Sequence, residues 1–159
     1  MDVEHISRLK GNIVLVGVGN AMRGDDGAGP ALIRELTANI GGEHPRITMI
    51  DAGEVPENVL MDVVARQPDV IIFVDAADFH ATPGTTRLIE SCEIRADGFS
   101  THNTSLKLSM DFLHRETNSD ILLLGIQPAH IRLGEGLSEP VKKSIENISN
   151  LLMENITNA

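Results

Sequence analysis

Gly17-Val18-Gly19-Asn20-Ala21-Met22-Arg23-Gly24-Asp25-Asp26-Gly27-Ala28-Gly29-Pro30 is a glycine-rich turn between an apolar run and an amphipathic segment. The run that enters it, Ile13 to Val18, is apolar enough for a buried strand. Beyond it, Pro30 suits the first turn of a helix. Leu32, Ile33, Leu36 and Ile40 then keep one apolar face until Gly41-Gly42 ends it. A strand–turn–helix unit of this kind is where α/β proteins hold ligands, and such turns ordinarily take phosphate on backbone N–H groups. This turn has the wrong sign for phosphate. Asp25 and Asp26 stand where a P-loop has Lys and Ser/Thr, and Met22 stands where the dinucleotide fingerprint needs its third glycine. Adjacent carboxylates favour a cation, a proton or a positive substrate group. The competing reading is structural, since acidic residues also suit the positive end of a helix.

Outward from the turn, strands and helices alternate. Ile47 to Ile50 forms a second strand closed by Asp51-Ala52-Gly53, and a helix is expected from about Glu57 to Gln67, stopped by Pro68. Val70 to Val74 is apolar on both faces, as a central parallel strand is, and Asp75-Ala76-Ala77-Asp78 follows it. Thr86 to Ile89 comes too soon after Asp75 for a crossover helix, which predicts an antiparallel, peripheral strand. Arg95 to Asn103 is expected as a loop. Leu106, Met110 and Leu113 then fit a helix, although Leu106, Leu108, Met110 and Phe112 also alternate as a strand would. Ile121 to Leu124 is the last central strand. Ser138 is expected to cap a final helix carrying Val141, Ile145, Ile148, Leu152 and Ile156. The predicted architecture is one α/β domain over residues 1–159, with its core from about 12 to 156. It is a three-layer α/β/α sandwich whose twisted sheet of about five strands is mostly parallel.

Composition narrows the partners. The 159 residues carry a formal net charge of -10, which opposes nucleic acid and anionic membranes. Trp and Tyr are absent and only 4 Phe occur, so base-stacking platforms are not expected. Cys92 is the single cysteine, which permits no internal disulfide; it is expected as a small, partly buried side chain and not a nucleophile. The polar N-terminal stretch is no signal peptide and no apolar run reaches a membrane span, so a cytoplasmic protein is expected.

In a doubly wound sheet the ligand crevice lies beyond the carboxyl ends of the strands. Asp25 and Asp26 follow the first strand, Asp51 ends the second, Asp75 and Asp78 follow the third, and His102 precedes the third helix. Two carboxylates and an imidazole from three loops make an O,O,N metal-site pattern, and equally an acid–base set. Each has a structural alternative. Asp51, Asp75 and Asp78 can close turns, and His102 can cap a helix. The other histidines are expected at the surface, with His80 and His130 on loops that can border the crevice.

These residues also resemble a known family. G-x-G-N-x-x-x-G-D-D-G-x-G-P at Gly17–Pro30, I-D-x-G-x-x-P-E-N at Ile50–Asn58, V-D-A at Val74–Ala76, T-H-N at Thr101–Asn103 and L-G-I-Q-P at Leu124–Pro128 together resemble the HycI-type hydrogenase maturation endopeptidases. The resemblance implies an endopeptidase that removes a C-terminal extension from a [NiFe]-hydrogenase large-subunit precursor after nickel insertion. It implies nickel recognition by Asp26, Asp75 and His102. The attacking water can be activated either by a metal or by Asp26 or Asp75, the candidate catalytic carboxylates. The nickel would be that of the substrate and not a permanent cofactor. A zinc protease of the H-E-x-x-H type is not indicated, because that motif is absent.

Three other readings use the same residues. A metal-binding receiver-like module also gathers acidic residues at strand ends, but here Gly125-Ile126-Gln127-Pro128, without a Lys, follows the last strand. A non-enzymatic nickel carrier would use the same ligands, and the His-rich tract common in carriers is missing. A dinucleotide-binding module is opposed by Met22 and the acidic pair.

Overall fold

Five strands pair into one sheet in the computed structural model, which describes residues 2–94 and 102–158. They are β1 (Ile13–Val18), β2 (Ile47–Gly53), β3 (Val70–Ala76), β4 (Thr86–Glu90) and β5 (Asp120–Ile126). Their order across the sheet is β2-β1-β3-β5-β4, parallel throughout except for β4, which runs antiparallel to β5 at the edge. The helices are α1 (Ala28–Ile40), α2 (Leu60–Ala65), α3 (Asn103–Glu116) and α4 (Glu139–Thr157).

The period-two geometry of a strand decides which side chain faces which layer. Ile13 and Leu15 of β1, Val70, Ile72 and Val74 of β3, and Leu122 and Leu124 of β5 join the core beneath α1 and α4. The intervening residues, among them Val14, Val16, Ile71, Phe73 and Leu123, join the core beneath α2 and α3. Every residue of β1 and β3 is buried, which explains the unbroken apolar runs. The expected three-layer sandwich and mostly parallel sheet are therefore present.

Local departures have physical causes. The second helix is shorter than expected: a 3-10 turn covers Pro56–Val59, α2 covers only Leu60–Ala65, and Gln67 adopts a left-handed φ of 47° before Pro68. The first helix begins earlier, at Ala28, and is led in by a 3-10 turn over Gly24–Gly27. Pro30 fits inside its first turn, where backbone N–H groups have no intrahelical acceptor. Leu106, Met110 and Leu113 are buried while Leu108 is exposed, so the helical alternative holds for α3. The N-terminal stretch forms a 3-10 turn, Val3–Arg8, whose fully buried Ile6 joins the core. Asn155 of α4 fastens it by donating from Nδ2 to the carbonyls of Ile6 and Leu9. Most of the loop expected at Arg95 to Asn103, including Thr101, lies outside the described residues. No helix among the described residues is long and apolar enough to cross a membrane.

β1 lies between β2 and β3, and the chain winds away from it in both directions. This reversal of strand order opens the crevice at the carboxyl ends of β1 and β3. Gly17 and Gly29 set the depth of the crevice, because α1 packs backbone to backbone on the sheet there.

Candidate active site

Two of the strand-end carboxylates and one imidazole meet in this crevice. Asp26, Asp75 and His102 each offer a ligand atom, and these atoms lie within 4.8 Å of one another. Asp75 belongs to β3, not to a turn after it, because β3 and β5 continue their pairing through Asp75–Gly125 and Ala76–Ile126. Its side chain is fully buried. The turn after β1 delivers Asp26. Gly19 has a φ of 142°, and a Cβ there would lie 1.9 Å from the Asp26 carbonyl oxygen, so only glycine lets the turn close. The Asn20 amide donates to Asp26 Oδ2 at 2.9 Å, and the Met22 amide donates to Asn20 Oδ1 at 2.9 Å, which fixes the carboxylate from behind.

His102 occupies the N-cap position of α3, yet its side chain makes no capping hydrogen bond. Its Nδ1 instead lies 3.1 Å from Asp75 Oδ2. The Asp75 hydrogen bond raises the His102 pKa above its ordinary 6.5; burial opposes the shift, and the charges of Asp75, Asp26 and Glu54 reinforce it. A raised folded-state pKa stabilises the fold fully below the unfolded value, and that contribution is lost as pH rises through the folded value. Melting curves of the wild type and His102→Ala, taken from about pH 5 to about pH 9, are therefore expected to converge as pH rises. A stability gap that widens with pH would contradict this coupling.

The acidic pair divides its labour. Asp25 is fully buried and turned away from this cluster. It accepts from the Ser138 amide (2.7 Å), the Ser138 hydroxyl (2.8 Å), and the amides of Ala129 (2.8 Å) and His130 (3.4 Å). Ser138 thus stands at the start of α4, but its hydroxyl serves Asp25 and not the expected helix cap. Asp51 and Asp78 close local turns, accepting from the amides of Gly53 and His80 at 2.9 Å. His130 is not the surface residue expected; its side chain is largely buried, 3.4 Å from Glu135. Cys92 is exposed, not partly buried. It follows β4, whose end pairs with the start of β5, so it sits at the edge of the sheet opposite the crevice.

Gln127, quoted in L-G-I-Q-P without a role, is buried and binds the loop after β3. Its Oε1 accepts from the Phe79 and Ala81 amides, and its Nε2 donates to Asp78 Oδ1. It therefore braces the segment just beyond Asp75. Asn20, behind Asp26, is a second residue with a role at the site. Its signal was its place after Gly19, where a short amide commonly closes a turn.

Two buried carboxylates and an imidazole form a small, negatively charged O,O,N set. Imidazole suits nickel and zinc, and carboxylate suits harder cations, so the set can ligate a divalent first-row metal and leave positions open for further ligands. It can equally hold and move protons. The model of the HycI hydrogenase maturation protease family matches residues 30–155. The chain belongs to the hydrogenase maturation protease family. Hydrogenase 3 maturation protease of Escherichia coli (strain K12) is 36% identical over 137 residues, which cover 85% of each chain. The fold is similar to that of the [NiFe] hydrogenase maturation protease HycI from Thermococcus kodakarensis KOD1, with a TM-score of 0.86 and 31% identity over 98% of this chain and 99% of that one. The endopeptidase HycI from Escherichia coli gives a TM-score of 0.77 and 34% identity over 89% and 90% of the two chains. This hydrogenase maturation protease is accordingly a hydrolase, an endopeptidase.

Proposed function

We propose that this hydrogenase maturation protease removes the C-terminal extension of a [NiFe]-hydrogenase large-subunit precursor in the cytoplasm, and that it recognises the precursor's nickel through Asp26, Asp75 and His102. The observation that supports this reading is the convergence of these three side chains, from three separate parts of the chain, within 4.8 Å at the switch point of the sheet. Like charges held this close are costly in the free protein, and a cation relieves the cost. The cation arrives with the substrate. Nickel already bound by the precursor takes its remaining ligands from the protease, so the site is complete only on a mature substrate. That is specificity by assembly.

Asp26 and Asp75 carry a second role in this reading. A carboxylate within reach of the scissile bond accepts the proton of the attacking water and returns it to the leaving amine. Nickel ligation places that bond beside them. His102 holds Asp75 in position and supplies the one nitrogen ligand. His102→Ala is therefore expected to slow processing roughly 10- to 100-fold without abolishing it, because water can fill one ligand position. Single-turnover cleavage at limiting nickel occupancy tests this. Wild-type rates for the folded variant would remove His102 from the site.

A further inference from the structure

The link between β5 and α4, residues 128–138, has neither helix nor strand, yet it is held more firmly than a connector requires. Its backbone is laced to the glycine-rich turn. Arg23 and Leu133 form an antiparallel bridge, the Gly134 amide donates to the Met22 carbonyl at 2.8 Å, and the Gly24 amide donates to the Glu135 carbonyl at 3.0 Å. The Asp25 amide donates to the His130 carbonyl at 3.0 Å. The buried Asp25 carboxylate then accepts the four further hydrogen bonds described above. Charge-assisted bonds of this kind are stronger than neutral ones, and a buried carboxylate without them would be costly. The result is a rigid two-segment arm directly beside Asp26.

The arm displays apolar surface. Met22 is 69% exposed, Leu133 73% and Ile131 40%. Among the described residues these are three of the six large apolar side chains left exposed. The Arg23–Leu133 bridge and the Gly134–Met22 hydrogen bond hold the Met22 and Leu133 segments together, and Ile131 lies two residues before Leu133. Scattered exposed apolar residues need no explanation, but a group on an ordered platform marks a binding surface. Among them Arg132 is paired with Glu135 at 3.4 Å, and exposed Arg23 adds one positive charge beyond that pair, in a chain whose net charge is -10. An endopeptidase must grip a polypeptide close to the bond it cuts, and Met22 is joined to Asp26 through Asn20 by two hydrogen bonds.

We infer that the arm formed by residues 20–24 and 128–138 is the docking surface for an apolar, neutral-to-acidic segment of the precursor next to the scissile bond, and that Asp25 is the positioning residue that holds the arm in register with Asp26. This rests on the assignment of the Asp26, Asp75 and His102 site. The surface residues and the carboxylate that orders them act as one unit, so their effects should not add.

The test uses the full chain and a nickel-loaded large-subunit precursor. The double variant Ile131→Ser/Leu133→Ser changes exposed side chains only, so it should melt with the wild type. Its KM is expected to rise about tenfold or more with kcat little changed, as loss of apolar contact surface requires. Asp25→Asn should raise KM similarly, and adding the double substitution to it should raise KM little further. Unchanged KM in the folded double variant overturns the inference. So does Asp25→Asn with a lowered melting temperature and an unchanged KM, because that is a purely structural role. If Asp25→Asn fails to fold, the double variant alone decides. Wild-type cleavage that ignores nickel would refute the nickel reading without moving these KM values, so the two failures are distinguishable.

Discussion

Asp75→Asn is expected to lower precursor processing at least about 100-fold while leaving the protein folded. The substitution keeps the size and shape of a fully buried side chain at the next-to-last pair of β3 with β5. What it removes is the charge. In the proposed reading the nickel would lose an anionic ligand and the attacking water a base, and His102 would face a neutral amide in place of the carboxylate that raises its pKa. Asp26→Ala should match it in activity. It costs more in stability, about 1 kcal/mol, because the Asn20 amide loses its acceptor. Intact-mass kinetics on the precursor, with circular dichroism and melting of each variant, measures both effects. Full cleavage by either folded variant would end the assignment of the site.

Gly29→Ala has the largest expected effect on stability. A Cβ at this position would lie 2.5 Å from the carbonyl oxygens of both Val18 and Val74 and 2.6 Å from the Val18 nitrogen. All three neighbours are backbone atoms of the two strands that flank the crevice, so none can move aside as a flexible side chain would. Overpacking of this kind costs roughly 3 kcal/mol, and for a chain of this size that lowers the melting temperature by roughly 10 °C. A helix pushed off the sheet also carries Asp26 away from Asp75. Activity of the surviving folded fraction should therefore fall as well. An unchanged melting temperature would show that α1 is not seated on β1 and β3 as described.

The fold was legible because its strands announce themselves. The runs Ile13–Val18 and Val70–Val74 are apolar at every position, and only strands covered on both faces require that. The short link to Thr86 ruled out a crossover and placed β4 antiparallel at the edge, where it lies. Less was legible at the turn. Asp25 and Asp26 are chemically identical neighbours, and the residues alone left both in play; the family resemblance singled out Asp26. What separates them is tertiary: Asp25 finds its amide donor on Ala129, 104 positions away. No local pattern encodes such a partner. The same holds for Ser138, whose place before α4 signals a cap but whose hydroxyl is claimed by Asp25. Ile6 was missed because one apolar residue in a polar stretch has no period to reveal it; its burial depends on α4.

In the function proposed above, the protease is completed by the metal its substrate carries. The most direct test is intact-mass spectrometry of one large-subunit precursor, nickel-loaded in one sample and nickel-free in the other, each mixed with the wild-type protein. Loss of a C-terminal peptide from the loaded precursor alone is expected. Equal cleavage of both samples would contradict it.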